Sequence, residues 1–179
     1  SFNTINALGN KEVSTPNMDR LVSEGTAFTH AHIMGGNTGA ICMPSRAMMM
    51  TGKNVQKFNN QGALTSEDET MPQLLKEAGY ATFGTGKWHN NRDSYARSFT
   101  HGSNIFLGGM SNHLKVPLHD FDPSGEYLKR NRRFEDKFSS VLFREATVDF
   151  LQNYNGDKPF FAFVSVSYTH LRAHETASD

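Results

Sequence analysis

Two short runs in this chain carry residue types that could do chemistry together. The first is Ile41-Cys42-Met43-Pro44-Ser45-Arg46, continuing into Ala47-Met48-Met49-Met50-Thr51-Gly52-Lys53, and it holds the chain's single cysteine. Proline suits the first turn of a helix, where its missing N–H costs nothing, and Gly52 is a natural stop. Cys42 is therefore expected just before a helix N-terminus, where unpaired N–H groups and the positive dipole end favour an anion. Arg46 follows four residues later, close enough to point back at the same spot. A reactive atom, a positive helix end and a fixed cation suit chemistry on an anion. The competing reading is structural, because a lone cysteine often behaves as a small buried hydrophobe.

The second run is Gly84-Thr85-Gly86-Lys87-Trp88-His89. It follows a predicted helix, the glycine stop Gly79 and a predicted strand, Tyr80-Ala81-Thr82-Phe83. Polar groups delivered at the C-terminal end of a strand are where open α/β sheets bind ligands. Alternation along an extended run places Lys87 and His89 on one side and Trp88 on the other. Standing alone, the segment also reads as an exposed lysine beside a satisfied histidine.

Together the two runs resemble the signatures of the type I sulfatases. Cys-x-Pro-Ser-Arg followed by Thr-Gly is similar to that family's maturation motif, and Gly-Tyr-x-Thr-x-x-x-Gly-Lys-x-His to its second signature. The resemblance covers about residues 1–166. It implies an alkaline-phosphatase-like α/β fold, a mixed or parallel sheet between helical layers, incomplete here at both ends. It implies hydrolysis of sulfate monoesters with a calcium ion, on a sulfated small molecule or polysaccharide. Cys42 would be oxidised by a formylglycine-generating or anaerobic maturation enzyme to formylglycine, whose hydrate is the nucleophile and a metal ligand. Arg46 would hold that hydrate and help bind the metal side of the site, Lys87 would contact the sulfate, and His89 would hydrogen-bond the formylglycine. Export to the periplasm or outside the cell is the family's usual location.

The resemblance also marks departures. The family's paired aspartates precede this chain's first residues, no Asp-Asp pair occurs anywhere in it, and the later metal pair and second lysine belong to absent regions. The remaining calcium ligands are thus expected outside this chain, and these residues alone are expected to be inactive. Towards the C-terminus His170 falls near the family's leaving-group histidine. The run from about Ser167 also reads as translated sequencing-adapter sequence, so the domain is taken as 1–166 and residues 167–179 are set apart as a tail of open origin.

The elements that must position these residues are legible in part. Thr15 reads as an N-cap with Pro16 at the first helical position, Met18, Leu21 and Val22 share a face, and Gly25 ends the helix. Ala27 to Ile33 reads as a short strand; its His30 and His32 fall short of a zinc ligand set. Gly35 to Gly39 is a flexible approach to Cys42, without the spacing of a nucleotide loop. Residues 54–66 form a polar loop and 68–78 a helix capped by Thr70 with Pro72 in its first turn. Residues 90–139 read as irregular, with Asn104–Gly109 and Val116–Pro123 as substrate-side loops. Lys129-Arg130-Asn131-Arg132-Arg133 is a basic cluster, either a solvated face or a contact for an anionic substrate. Ser140 to Asn155 is an amphipathic helix, and Pro159 to Val166 a buried strand of the parallel type.

Composition sets outer bounds. The 179 residues suffice for one ordinary domain, and 18 basic residues balance 18 acidic ones, which gives no reason to expect nucleic acid or an anionic membrane. No apolar run approaches the length of a membrane span. Three alternatives stay open: a phosphatase or phosphonate hydrolase of the same superfamily, a non-catalytic binding protein with Cys42 as a free thiol, and a thiol hydrolase pairing Cys42 with a histidine.

Overall fold

The computed structural model describes residues 4–36, 41–58 and 62–167. The chain divides into two compact units, Ser1–Ile33 and Met34–Asp179.

In the first unit, a single turn of 3-10 helix over Asn6–Leu8 precedes helix α1, Pro16–Glu24. Pro16 opens α1 as expected, and the Gly25 N–H closes it on the Leu21 carbonyl. The turn and the helix are joined by polar groups. Thr15 Oγ1 accepts from the Asn6 N–H at 2.8 Å and donates to Asp19 Oδ1 at 2.8 Å, while Asp19 also accepts from the Ala7 N–H. None of the residues of α1 is buried. The strand expected over Ala27–Ile33 does not form; its backbone is irregular, and Phe28 and Ile33 are exposed. β-branched and aromatic content makes a strand only where a neighbouring strand pairs with it.

The second unit is an α/β layer structure. Helix α2 runs Cys42–Thr51, α3 Met71–Glu77, strand β1 Ala81–Lys87, α4 Arg92–Ser98, β2 His101–Phe106, α5 Ser139–Asn153 and β3 Phe160–Ser165. The strands form one parallel sheet in the order β2-β1-β3. β1 is central and buried at every residue, as a strand covered on both faces must be. Side-chain alternation divides its two faces. Tyr95 of α4 and Phe99 just after it, Ala47 and Met50 of α2, Ile105 and Trp88 belong to one core cluster, with Phe161 and Phe163 against it. On the other face Phe83 packs with Ala146 and Phe150 of α5, the Phe83 and Phe150 rings stacked at 4.4 Å.

Two elements lie inside the stretch expected to be irregular. α4 begins at an Asn91 cap, whose side chain accepts from the Ser94 N–H, and β2 takes in the first three residues of the loop expected over Asn104–Gly109, leaving the rest as loop. The β1–β2 register shifts between Gly84 and Gly86. Gly86 sits there at φ 85, and a Cβ on it would run into the Ser165 carbonyl of β3. Only glycine meets both demands. The strand expected over Pro159–Val166 forms over Phe160–Ser165, but it is only partly buried, being at the side of the described sheet.

Candidate active site

α2 brings Cys42 to its place. Cys42 is the helix's first residue and Ile41 its cap, one position later in the helix than the sequence suggests. Pro44 sits in the first turn and Gly52 ends the helix in the left-handed conformation. Cys42 is half-buried, at the end of the helix whose first N–H groups have no intrahelical carbonyl.

The other half of the site comes off β1. Lys87 is the strand's last residue and is 2% exposed, with its ammonium near enough to Cys42 for the two to interact electrostatically. His89 Nδ1 lies 3.0 Å from Cys42 Sγ. Strand alternation is only part of why these two groups meet. β1 stops at Lys87, and His89 takes a left-handed backbone conformation at φ 50, so a turn aims the imidazole at the sulfur. Such a conformation is uncommon for a residue with a Cβ and is held only where its surroundings demand it. Gly109 crosses directly over the ring; a Cβ there would meet His89 Nε2 at 2.5 Å. Trp88 points into the core instead, 1% exposed, with its indole N–H donating to the Asn91 carbonyl and to Ser94 Oγ.

Arg46 joins the two halves. Its Nη1 donates to the Cys42 carbonyl at 3.3 Å, its Nε to the Lys87 carbonyl at 3.0 Å and its Nη2 to Ser165 Oγ at 2.9 Å. The expected turn back towards Cys42 is present, and the guanidinium also fixes the ends of β1 and β3. Burial pulls the Arg46 pKa below its usual value, against an opposing pull from Cys42. For Lys87, burial again lowers the pKa most, Cys42 works the other way, and Arg46 lowers it further. Two partly desolvated cations therefore lie beside Cys42, an arrangement that favours an anion at that residue.

Cys42, Arg46, Lys87 and His89 thus converge. His170 lies outside the described residues, and Lys53, at the end of the cysteine run, is drawn away into an ion pair of 2.5 Å with Asp68. Two contributors are not singled out by sequence reasoning. Ser165 holds Arg46, and its only signal is its place at the end of the strand beside β1. Asn90 Oδ1 accepts from the Leu64 N–H at 3.0 Å and its Nδ2 donates to the Met43 carbonyl at 3.5 Å, bracing the approach to α2.

The site suits some cofactors and not others. His89 Nδ1 lies at the Cys42 sulfur and the Lys87 ammonium interacts with it electrostatically, so an oxygen-bearing side chain such as formylglycine fits that position. Calcium asks for several hard oxygen ligands, chiefly carboxylates. Lys87 and Arg46 face Cys42 instead, and no group of three or more His, Cys, Asp or Glu that could hold a metal ion occurs among the described residues. These residues do not fit a calcium ion.

Comparison with known proteins agrees with the two motifs. The sulfatase family model matches residues 1–177. The chain is 30% identical over 155 residues to the N-acetylglucosamine-6-O-sulfatase of Bacteroides thetaiotaomicron, covering 85% of this chain and 25% of that protein. It is 25% identical over 192 residues to the N-acetylgalactosamine-6-sulfatase of Mus musculus, covering 90% of this chain and 36% of that one. The chain therefore spans 25% and 36% of the length of these curated relatives. Among solved structures, BT4656 in complex with its substrate D-glucosamine-2-N,6-O-disulfate matches with a TM-score of 0.71 at 26% identity, over 90% of this chain and 31% of that one. Ps i-CgsB in complex with k-i-k-neocarrahexaose shares the fold, with a TM-score of 0.70 at 22% identity, over 94% of this chain and 43% of that one. With both runs in place and nearly its whole length matched, this chain belongs to the sulfatase family.

Proposed function

We propose that this chain contributes the nucleophile-bearing part of an enzyme that hydrolyses sulfate monoesters of a sulfated carbohydrate, with a formylglycine made from Cys42. The observation that carries the reading is the convergence of Lys87, His89 and Arg46 on Cys42 at the start of α2. The names of the relatives support a carbohydrate, since N-acetylglucosamine-6-O-sulfatase and the BT4656 complex both concern sulfated amino sugars. Formylglycine supplies, in its hydrated form, one hydroxyl to attack sulfur and a second to release the sulfate afterwards.

The residues of this chain do the rest. Lys87, held rigidly at the end of a buried strand, places a desolvated ammonium where sulfuryl oxygens gather charge. Arg46 keeps the Cys42 end of α2 in register with the ends of β1 and β3, so the cations need not reorganise during the reaction. His89 holds the side chain at position 42 by its Nδ1 and can take or return a proton there. A calcium ion would draw its carboxylates from outside the described residues. The maturation enzyme and export to the periplasm or beyond belong to the same proposal.

The test is mass spectrometry of the tryptic peptide Leu21–Arg46 after co-expression with a formylglycine-generating enzyme. Replacement of the Cys42 sulfur by an aldehyde oxygen is the expected result. An intact thiol, with a control sulfatase peptide converted in the same cells, would turn the assignment to a thiol-bearing binding protein.

A further inference from the structure

A second cation-lined hollow adjoins the site. It is a cleft of about 640 Å³ with Arg92, Arg132 and His119 in its wall, and Asn90 and Gly108 also line it. Asn90 follows His89 directly in the chain, and Gly108 precedes the glycine that crosses the His89 ring. The cleft and the Cys42 site are therefore two sides of the same pair of segments, 89–91 and 107–109.

Its polar groups are incompletely used. Arg132 Nε is buried without a hydrogen-bond partner. Among the described residues neither Arg92 nor Arg132 enters an ion pair, whereas the neighbouring Arg133 is held by Asp120 and Glu135. His119 is 3% exposed, and its pKa is lowered first by burial and then by Arg132 and Arg92, with Asp120 and Asp122 opposing. The acids nearby are engaged elsewhere. Asp93, the cleft's one carboxylate, pairs with Arg97 at 3.0 Å, Asp120 pairs with Arg133, and Asp122 accepts from Ser124 and from the Tyr127 N–H. A buried guanidinium nitrogen without an acceptor is costly, and an anion is the partner that would satisfy it with planar, charge-assisted bonds.

We propose that this cleft binds a second anionic group of the substrate, a sulfate or a carboxylate, on Arg92 and Arg132 with His119 as a further hydrogen-bonding group. The inference rests on the sulfatase reading and narrows it to carbohydrates carrying a second negative charge near the scissile sulfate. It also gives the basic cluster at 129–133 a divided meaning: Arg133 is a structural ion pair, Arg132 a ligand contact.

Calorimetric titration of the full chain, with Cys42 left as the thiol so that no turnover intervenes, tests it. The probes are glucosamine 6-sulfate, D-glucosamine-2-N,6-O-disulfate, and glucosamine 6-sulfate linked to a uronic acid. At least one doubly anionic sugar is expected to bind about tenfold more tightly than the singly sulfated one, as a charge-assisted pair supplies. Which one gains identifies the second group as sulfate or carboxylate. Arg132→Gln and Arg92→Gln should each remove most of that gain and leave the singly sulfated sugar's affinity within about twofold. Should Arg132→Gln fail to fold, judged by the near-ultraviolet signal of Trp88, Arg92→Gln carries the same comparison. Equal binding of singly and doubly charged sugars, or a gain that survives both substitutions, overturns the proposal. Lys87→Ala separates the two readings. If it weakens every sugar while the second charge adds nothing, only the cleft assignment fails; if singly sulfated sugar binds as well without Lys87, the sulfatase reading fails and takes this one with it.

Discussion

Helices α1 and α4 start from similar local instructions and end with different worth. α1 has Pro16 at its first position and Asp19 in its first turn; α4 has an Asn91 cap and Asp93 in its first turn. Yet no residue of α1 is buried, with Met18 47% and Leu21 63% exposed, whereas α4 buries Ser94, Tyr95 and Ser98. Tyr95 then donates to the Gly84 carbonyl at 2.7 Å and stands edge-on to Trp88. Caps decide where a helix begins, and burial decides what the molecule loses without it. The site is built on the second kind of helix, because rigid placement of Lys87 and His89 requires a packed layer behind β1.

Substitutions can break or sharpen that contrast. The largest effect is expected at Trp88. Trp88→Ala removes the ring that touches Tyr95, Phe99 and Phe163, and should cost about 4 kcal/mol in urea unfolding. A cost below ~1 kcal/mol would mean that the layer behind β1 does not hold the site. Gly86→Ala comes next, since it combines a left-handed backbone with a clash on the Ser165 carbonyl. About 3 kcal/mol is expected, with Arg46 losing its contact to Ser165; a neutral result would show that β3 docks loosely. The smallest effect is expected in the first unit, where Leu21→Ser should change stability by less than ~0.5 kcal/mol. A loss comparable to that of Trp88→Ala would erase the distinction between the two helices.

The sequence exposes the chemistry better than the scaffold. Helix spacing pairs Arg46 with Cys42 and is readable, whereas the meeting of that run with Lys87 and His89 is implied only by the sulfatase resemblance and is completed by the turn at His89. β2 is not readable, because His101-Gly102-Ser103-Asn104 carries little strand propensity. It is extended through pairing with β1, and Asn104, at φ 50, gives its amide to the Leu142 carbonyl and accepts from Arg133. α4 is too short to display a period, although its Asn91 cap and the Asp93–Arg97 pair one turn apart were local signals for it. Ala27–Ile33 fails in the opposite sense, with strand-forming residues and no partner strand. The Arg92–Arg132–His119 cleft was hidden because its residues come from three segments that only the tertiary fold adjoins.

Arg46 has a consequence in time as well as in space. Its bonds reach Cys42 within its own helix, Lys87 at a sequence separation of 41 and Ser165 at a separation of 119. Contacts so distant along the chain close late, because the loop between them must first lose its freedom. The local bond can form with α2, the second waits for β1, and the third for β3. A folding chain would therefore carry well-formed helices while its cations are still scattered, and the charge cluster around Cys42 would mature only as β3 docks. Order in this site thus serves as a clock for the docking of β3.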